Sequence, residues 1–72
     1  MRLPRTTIQT IEIPKTWTLG RSADWLLRNG YSIIDKRETT HFRRFLQTLP
    51  IINAHYYSKK LDNGVILVFQ RY

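Results

Sequence analysis

The segment Tyr56–Tyr72, YYSKKLDNGVILVFQRY, admits few folds. An apolar run, Val65 to Phe69, follows Asp62-Asn63-Gly64, and a run of alternating character precedes that turn. A glycine behind an asparagine supplies the positive φ that a tight hairpin needs, so the segment predicts two antiparallel strands. Two registers are open. A two-residue Asn63-Gly64 turn pairs Asp62 with Val65 and sets Val65, Leu67 and Phe69 beside Lys60, Ser58 and Tyr56. A three-residue loop, with Gly64 left-handed in a bulge, pairs Leu61 with Val65. A slip of one residue exchanges the two faces. The second register is preferred because it gathers Tyr57, Leu61, Val65, Leu67 and Phe69 on one face, interrupted only by Lys59. Tyr56, Ser58, Lys60, Ile66, Val68, Gln70 and Tyr72 then share the other face.

The rest of the chain must complete a core with little material. It has 72 residues and no cysteine, so disulfides and thiol chemistry are excluded, and burial alone must stabilise one small domain. Two histidines and five carboxylates leave few metal ligands, and no metal or cofactor is expected. No run approaches the ~20 apolar residues of a membrane span, and the opening MRLPRTTIQT lacks the apolar stretch of a signal peptide. A soluble intracellular protein, cytoplasmic by default, is the expectation.

Residues 1–7 read as a loose or extended arm and residues 8–72 as one domain. Ile8–Ile13 is a strand candidate ended by Pro14. Thr18 is placed to cap a helix over Leu19–Asn29, with Gly30 as its C-terminal glycine. Its apolar stripe is Leu19, Ala23, Leu26 and Leu27, with Trp25 off the stripe. Tyr31–Ile34 reads as a short strand or ordered connection, and Asp35–Glu38 as a charged turn. Phe42, Phe45, Leu46 and Leu49 recur at helical spacing, so a second helix is expected over His41–Leu49, capped by Thr39 or Thr40 and closed by Pro50. Together these predict an α+β domain: a three-stranded antiparallel sheet with two helices on one face, in the order β-α-α-β-β, ending in the C-terminal hairpin.

The formal charge is +7, which favours an anionic or acidic partner. Basic residues cluster at Lys36-Arg37, Arg43-Arg44 and Lys59-Lys60, and tyrosines on a sheet beside lysines can stack bases. Nucleic-acid binding through those six residues, with Tyr56 and Tyr72, is therefore one reading. The leading reading is a small non-enzymatic protein-binding module: an accessory subunit, inhibitor or assembly factor. It would dock through the outer hairpin face, with Trp17, Trp25, Tyr56, Lys60, Ile66, Val68 and Tyr72 as contacts. Its partner would be an acidic protein or a second copy, since the chain stops directly after an apolar strand that another chain could extend.

Catalytic constellations are sparse. Leu26-Leu27-Arg28-Asn29-Gly30-Tyr31, with Thr40-His41-Phe42-Arg43 further on, resembles the small single-histidine mRNA-interferase toxins of the HicA type. That resemblance covers these few residues. It implies a double-stranded-RNA-binding-like fold and a catalytic role for His41 as general base or acid. The pattern departs from the family where Thr39-Thr40 replaces the Gly-Ser before the histidine, where an extra strand precedes the first helix, and where helical spacing follows His41. A single-histidine ribonuclease is thus the third reading.

Overall fold

A nine-residue strand, β1 (Thr6–Pro14), runs through the centre of a computed structural model that describes residues 5–72. It is followed by α1 (Leu19–Arg28), β2 (Asp35–Glu38), β3 (Phe42–Leu46), β4 (His55–Lys60) and β5 (Ile66–Arg71). The strands form one antiparallel sheet in the order β2-β3-β1-β5-β4. Residues 1–4 of the expected arm lie outside the described residues. Arg5 already exchanges backbone hydrogen bonds with Tyr72, and Thr6 and Thr7 begin β1.

The core lies on one face of the sheet, under α1. Cross-strand register puts Phe45, Ile11 and Leu67 side by side, and these join Ile13, Trp17, Leu26 and Val65 as the buried apolar set. Burying each such side chain contributes about 1.5–3 kcal/mol, the main stabilisation open to a chain this short. A bulge lets β1 contribute three isoleucines. The register shifts between Ile8 and Thr10, so Ile8 faces Phe69 while Ile11 faces Leu67, and both reach the same side.

The helix begins and ends where its local chemistry dictates. Thr18 Oγ1 accepts from Arg21 N at 3.1 Å. At the other end Gly30 adopts φ +79°, its N–H donates to Leu27 O, and Tyr31 N–H donates to Leu26 O at 2.8 Å. The buried stripe differs from the expected one. Ser22 and Leu26 are buried, Trp25 packs against the core, and Leu19 and Leu27 are exposed. Ser22 is tolerated there because its hydroxyl donates to Thr18 O at 2.9 Å.

The expected three strands and two helices are corrected to five strands and one helix. No helix covers His41–Leu49; β3 occupies its middle. The spacing of Phe42, Phe45 and Leu46 suits a helix, but β3 lies between β1 and β2, and pairing on both sides overrides that period. Alternation then sends Phe45 to the core and Phe42 and Leu46 to the opposite face. Thr39 does not cap a helix; it closes the β2–β3 hairpin, its N–H donating to Phe42 O at 2.9 Å. The charged turn expected at Asp35–Glu38 is the edge strand β2. An exposed edge strand carries no apolar signal, which is why DKRE reads as a turn.

The C-terminal hairpin has the preferred register. Leu61 N–H donates to Val65 O at 2.7 Å, Gly64 N–H to Leu61 O at 3.0 Å, and Gly64 has φ +90°. These are the marks of a three-residue loop with a glycine bulge.

The outer face of the sheet is less open than its composition implies. Gln9 and Gln70 tie the connection of residues 47–54 to the sheet, and Gln47 ties its start to the segment after α1. Gln9 O accepts from Gln47 N and Thr48 N, and Gln9 Nε2 donates to Thr48 O. The Gln47 amide bonds both to the backbone N–H and to the carbonyl of Ser32. Gln70 is fully buried, donating to Thr48 Oγ1 and Leu49 O and accepting from Ile51 N.

Candidate functional site

β4 lies at the sheet edge, beyond the reach of the ten-residue helix, and all six of its residues are exposed. Strand alternation places His55, Tyr57 and Lys59 on the helix side and Tyr56, Ser58 and Lys60 on the outer side. Arg71 stands directly across from His55, and Tyr57 across from Phe69. Tyr57 and Phe69 stack with centroids 5.1 Å apart and planes 13° from parallel. One side of the Tyr57 ring is therefore supported while 49 % of the residue stays exposed. The Tyr56 hydroxyl lies 3.3 Å from Gln70 Oε1 and 3.4 Å from Ile51 O, which fixes that ring at the margin of the outer face. His55, Tyr56, Tyr57, Arg71 and Tyr72 line a shallow, open cavity of about 570 Å³.

The charges are segregated across the sheet. Glu38 pairs with Lys15, Lys36 and Arg43, Asp35 with Arg37, Glu12 with Arg44, and Asp24 with Arg28. The Arg44 Nε lies 3.1 Å from Glu12 without pointing at it, so this contact is Coulombic rather than an aligned hydrogen bond. Among the described residues, the cations left without a carboxylate partner are Arg5, Arg21, Lys59, Lys60 and Arg71. Arg21 sits over the Trp17 ring at 4.0 Å, on the helix. The other four belong to the β4–β5 hairpin or to the residue paired with its end. The hairpin's one carboxylate, Asp62, is in the turn.

The six basic residues expected to act together are divided by this arrangement. Each cluster lies on a strand, so its neighbours point to opposite faces. Lys36 and Arg43 face the helix side, Arg37 and Arg44 the outer side, and all four are ion-paired. Arg43 also donates to Trp17 O at 2.8 Å, a structural role. Lys59 and Lys60 keep their charge unmatched.

The expected protein-docking residues are likewise scattered. Trp17 is in the core at 7 % exposure, and Trp25 packs against it edge to face while stacking on Tyr31. Ile66 and Val68 are half-buried on the outer face, and Tyr56, Lys60 and Tyr72 are exposed. His41 occupies the exposed tip of the β2–β3 hairpin, its carbonyl accepting from Lys15 N. It precedes a strand rather than starting a helix. Arg5, His55 and Arg71 carry no motif that marks them in the sequence, and Tyr57 shares its face with the core residues of the hairpin. The available signal was charge order: four of the five carboxylates precede residue 39, leaving the last third almost without acid.

Among the described residues no group of three His, Cys, Asp or Glu side chains converges as a metal would require. No helix among them is long and apolar enough to cross a membrane. Comparison with protein-family models, with curated proteins and with solved structures finds no match to this chain.

Proposed function

We propose that the protein binds nucleic acid through the β4–β5 hairpin. The observation that carries this reading is the gathering of unmatched cations with exposed tyrosines along the β4–β5 hairpin and its open end, on both faces of β4. Arg5, Lys59, Lys60 and Arg71 provide positive charge, and Tyr56, Tyr57 and Tyr72 are 47 %, 49 % and 44 % exposed. Basic grooves lined with aromatic rings are how proteins hold single strands without reading sequence. From His55 to Lys59 the strand advances about 14 Å, or roughly four phosphates at the rise of a stacked strand. Lysines on an edge strand also disfavour its pairing with another chain.

A titration against a random single-stranded oligonucleotide tests the reading. With four phosphate contacts, log K is expected to fall against log salt with a slope of about −3. A salt-independent affinity, or no binding at low salt, contradicts it. A second reading, a protein partner on the outer side, is favoured by Leu49 and Ile52, which are 83 % and 89 % exposed on the connection that covers that face. A protein retained in a native pull-down after nuclease treatment, together with a failed titration, would select the second reading.

A further inference from the structure

We infer that the cavity at the open end of the hairpin is a subsite for one unpaired nucleotide of a bound single strand, with Tyr57 as the stacking platform. The inference rests on the nucleic-acid reading above and names the form of the ligand. The cavity, at about 570 Å³, lies within the ~300–1,000 Å³ typical of small-ligand sites. Its walls are three tyrosines, a histidine and an arginine, none with an acidic side chain. No acidic side chain there repels an anion, and the Arg71 guanidinium can hold a phosphate with two parallel N–H donors.

The Tyr57 ring has the preparation that base stacking needs. Phe69 lies against one side at 5.1 Å and nearly parallel, so the ring's orientation is set before any ligand arrives. Its remaining surface contributes to the cavity wall. Tyr56 is held by its hydroxyl contacts to Gln70 and Ile51. Tyr72 is held by the paired backbone bonds to Arg5. A base pair already stacked in a duplex presents only edges to such a pocket, whereas an unpaired base can turn its flat face to the ring. Lys59 continues from Tyr57 on the same side of β4, so the phosphates flanking the base have a cation to meet. This continuity selects a strand over a free mononucleotide.

The test compares ligands with identical phosphates and different bases, using fluorescence anisotropy of labelled oligomers. A short oligothymidylate is expected to bind about tenfold more tightly than an abasic oligomer of equal length, and more tightly than a duplex. Tyr57→Ala should remove that tenfold difference without changing the salt slope, and Tyr57→Phe should retain it. A nucleoside monophosphate at the oligomer's concentration should not compete. Equal affinity for oligothymidylate and abasic oligomer, with the slope intact, overturns the subsite and leaves the hairpin reading standing. Loss of binding to both ligands at low salt overturns the hairpin reading itself. Tighter duplex binding, or competition by the monophosphate, overturns the assignment to a strand. The ligand comparison uses the unaltered protein, so the conclusion survives even if Tyr57→Ala fails to fold.

Discussion

Replacing Lys59 and Lys60 together by glutamate is expected to weaken single-strand binding about 100-fold near 50 mM salt. Two phosphate contacts are lost, which alone flattens the salt slope by about 1.4 and reduces affinity by nearly two decades at that salt. The new carboxylates add repulsion. Folding should be little affected, since both residues are exposed and neither is ion-paired among the described residues. The informative control is Lys36→Glu with Arg37→Glu, which makes the same change in net charge at the opposite edge. Those side chains already face Glu38 and Asp35, so their loss should weaken binding less than about tenfold through the long-range field alone. Equal losses in the two variants would mean that net charge, and not the hairpin, governs affinity.

Gln70→Leu is expected to cost about 2–4 kcal/mol of stability, read from the urea midpoint. Leucine fills similar space, so the loss isolates hydrogen bonding from packing. The Gln70 amide donates to Thr48 Oγ1 and Leu49 O, and its oxygen accepts from Ile51 N and lies within reach of the Tyr56 hydroxyl. Leucine removes the bonds that Leu49 O and Ile51 N make to the buried Gln70 side chain, while Thr48 Oγ1 keeps its bond to Ile8 O and the Tyr56 hydroxyl its contact with Ile51 O. A loss of that size takes a large share of the stability of a small domain, where the whole is often near the low end of ~5–15 kcal/mol. A midpoint unchanged within error would show that the connection over residues 47–54 holds without this anchor.

Local chemistry made part of the fold legible. Thr18, Gly30 and the Asp62-Asn63-Gly64 turn each solve a backbone problem within a few residues, and the structure places the helix ends and the hairpin register where those residues put them. Long-range pairing was not legible. Phe42, Phe45 and Leu46 satisfy a helical period as well as they satisfy a strand between two partners, and only the pairing with Ile11, Ile13 and β2 decides. Alternation places the two faces of β5, but Gln70 reads as solvent-facing surface because a buried amide has no sequence signature distinct from an exposed one.

The candidate site divides the same way. HYYSKK stands out as aromatic and basic, so Tyr56, Lys59 and Lys60 could be named from the chain alone. Which cations remain unmatched could not, because the pairing of Arg44 with Glu12, or of Arg43 with Glu38, depends on strand neighbours. The face of Tyr57 predicts a core position. The face is right, but α1 does not extend over β4, so the ring meets Phe69 on one side and solvent on the other.

Backbone amide shifts, followed by NMR as a single-stranded oligonucleotide is added, locate the binding surface residue by residue. Perturbations are expected to concentrate at Arg5, His55–Lys60 and Arg71–Tyr72, with β2 and α1 unchanged. Perturbations centred on Asp35–Glu38, on the His41 hairpin tip or on α1 would contradict binding through the β4–β5 hairpin.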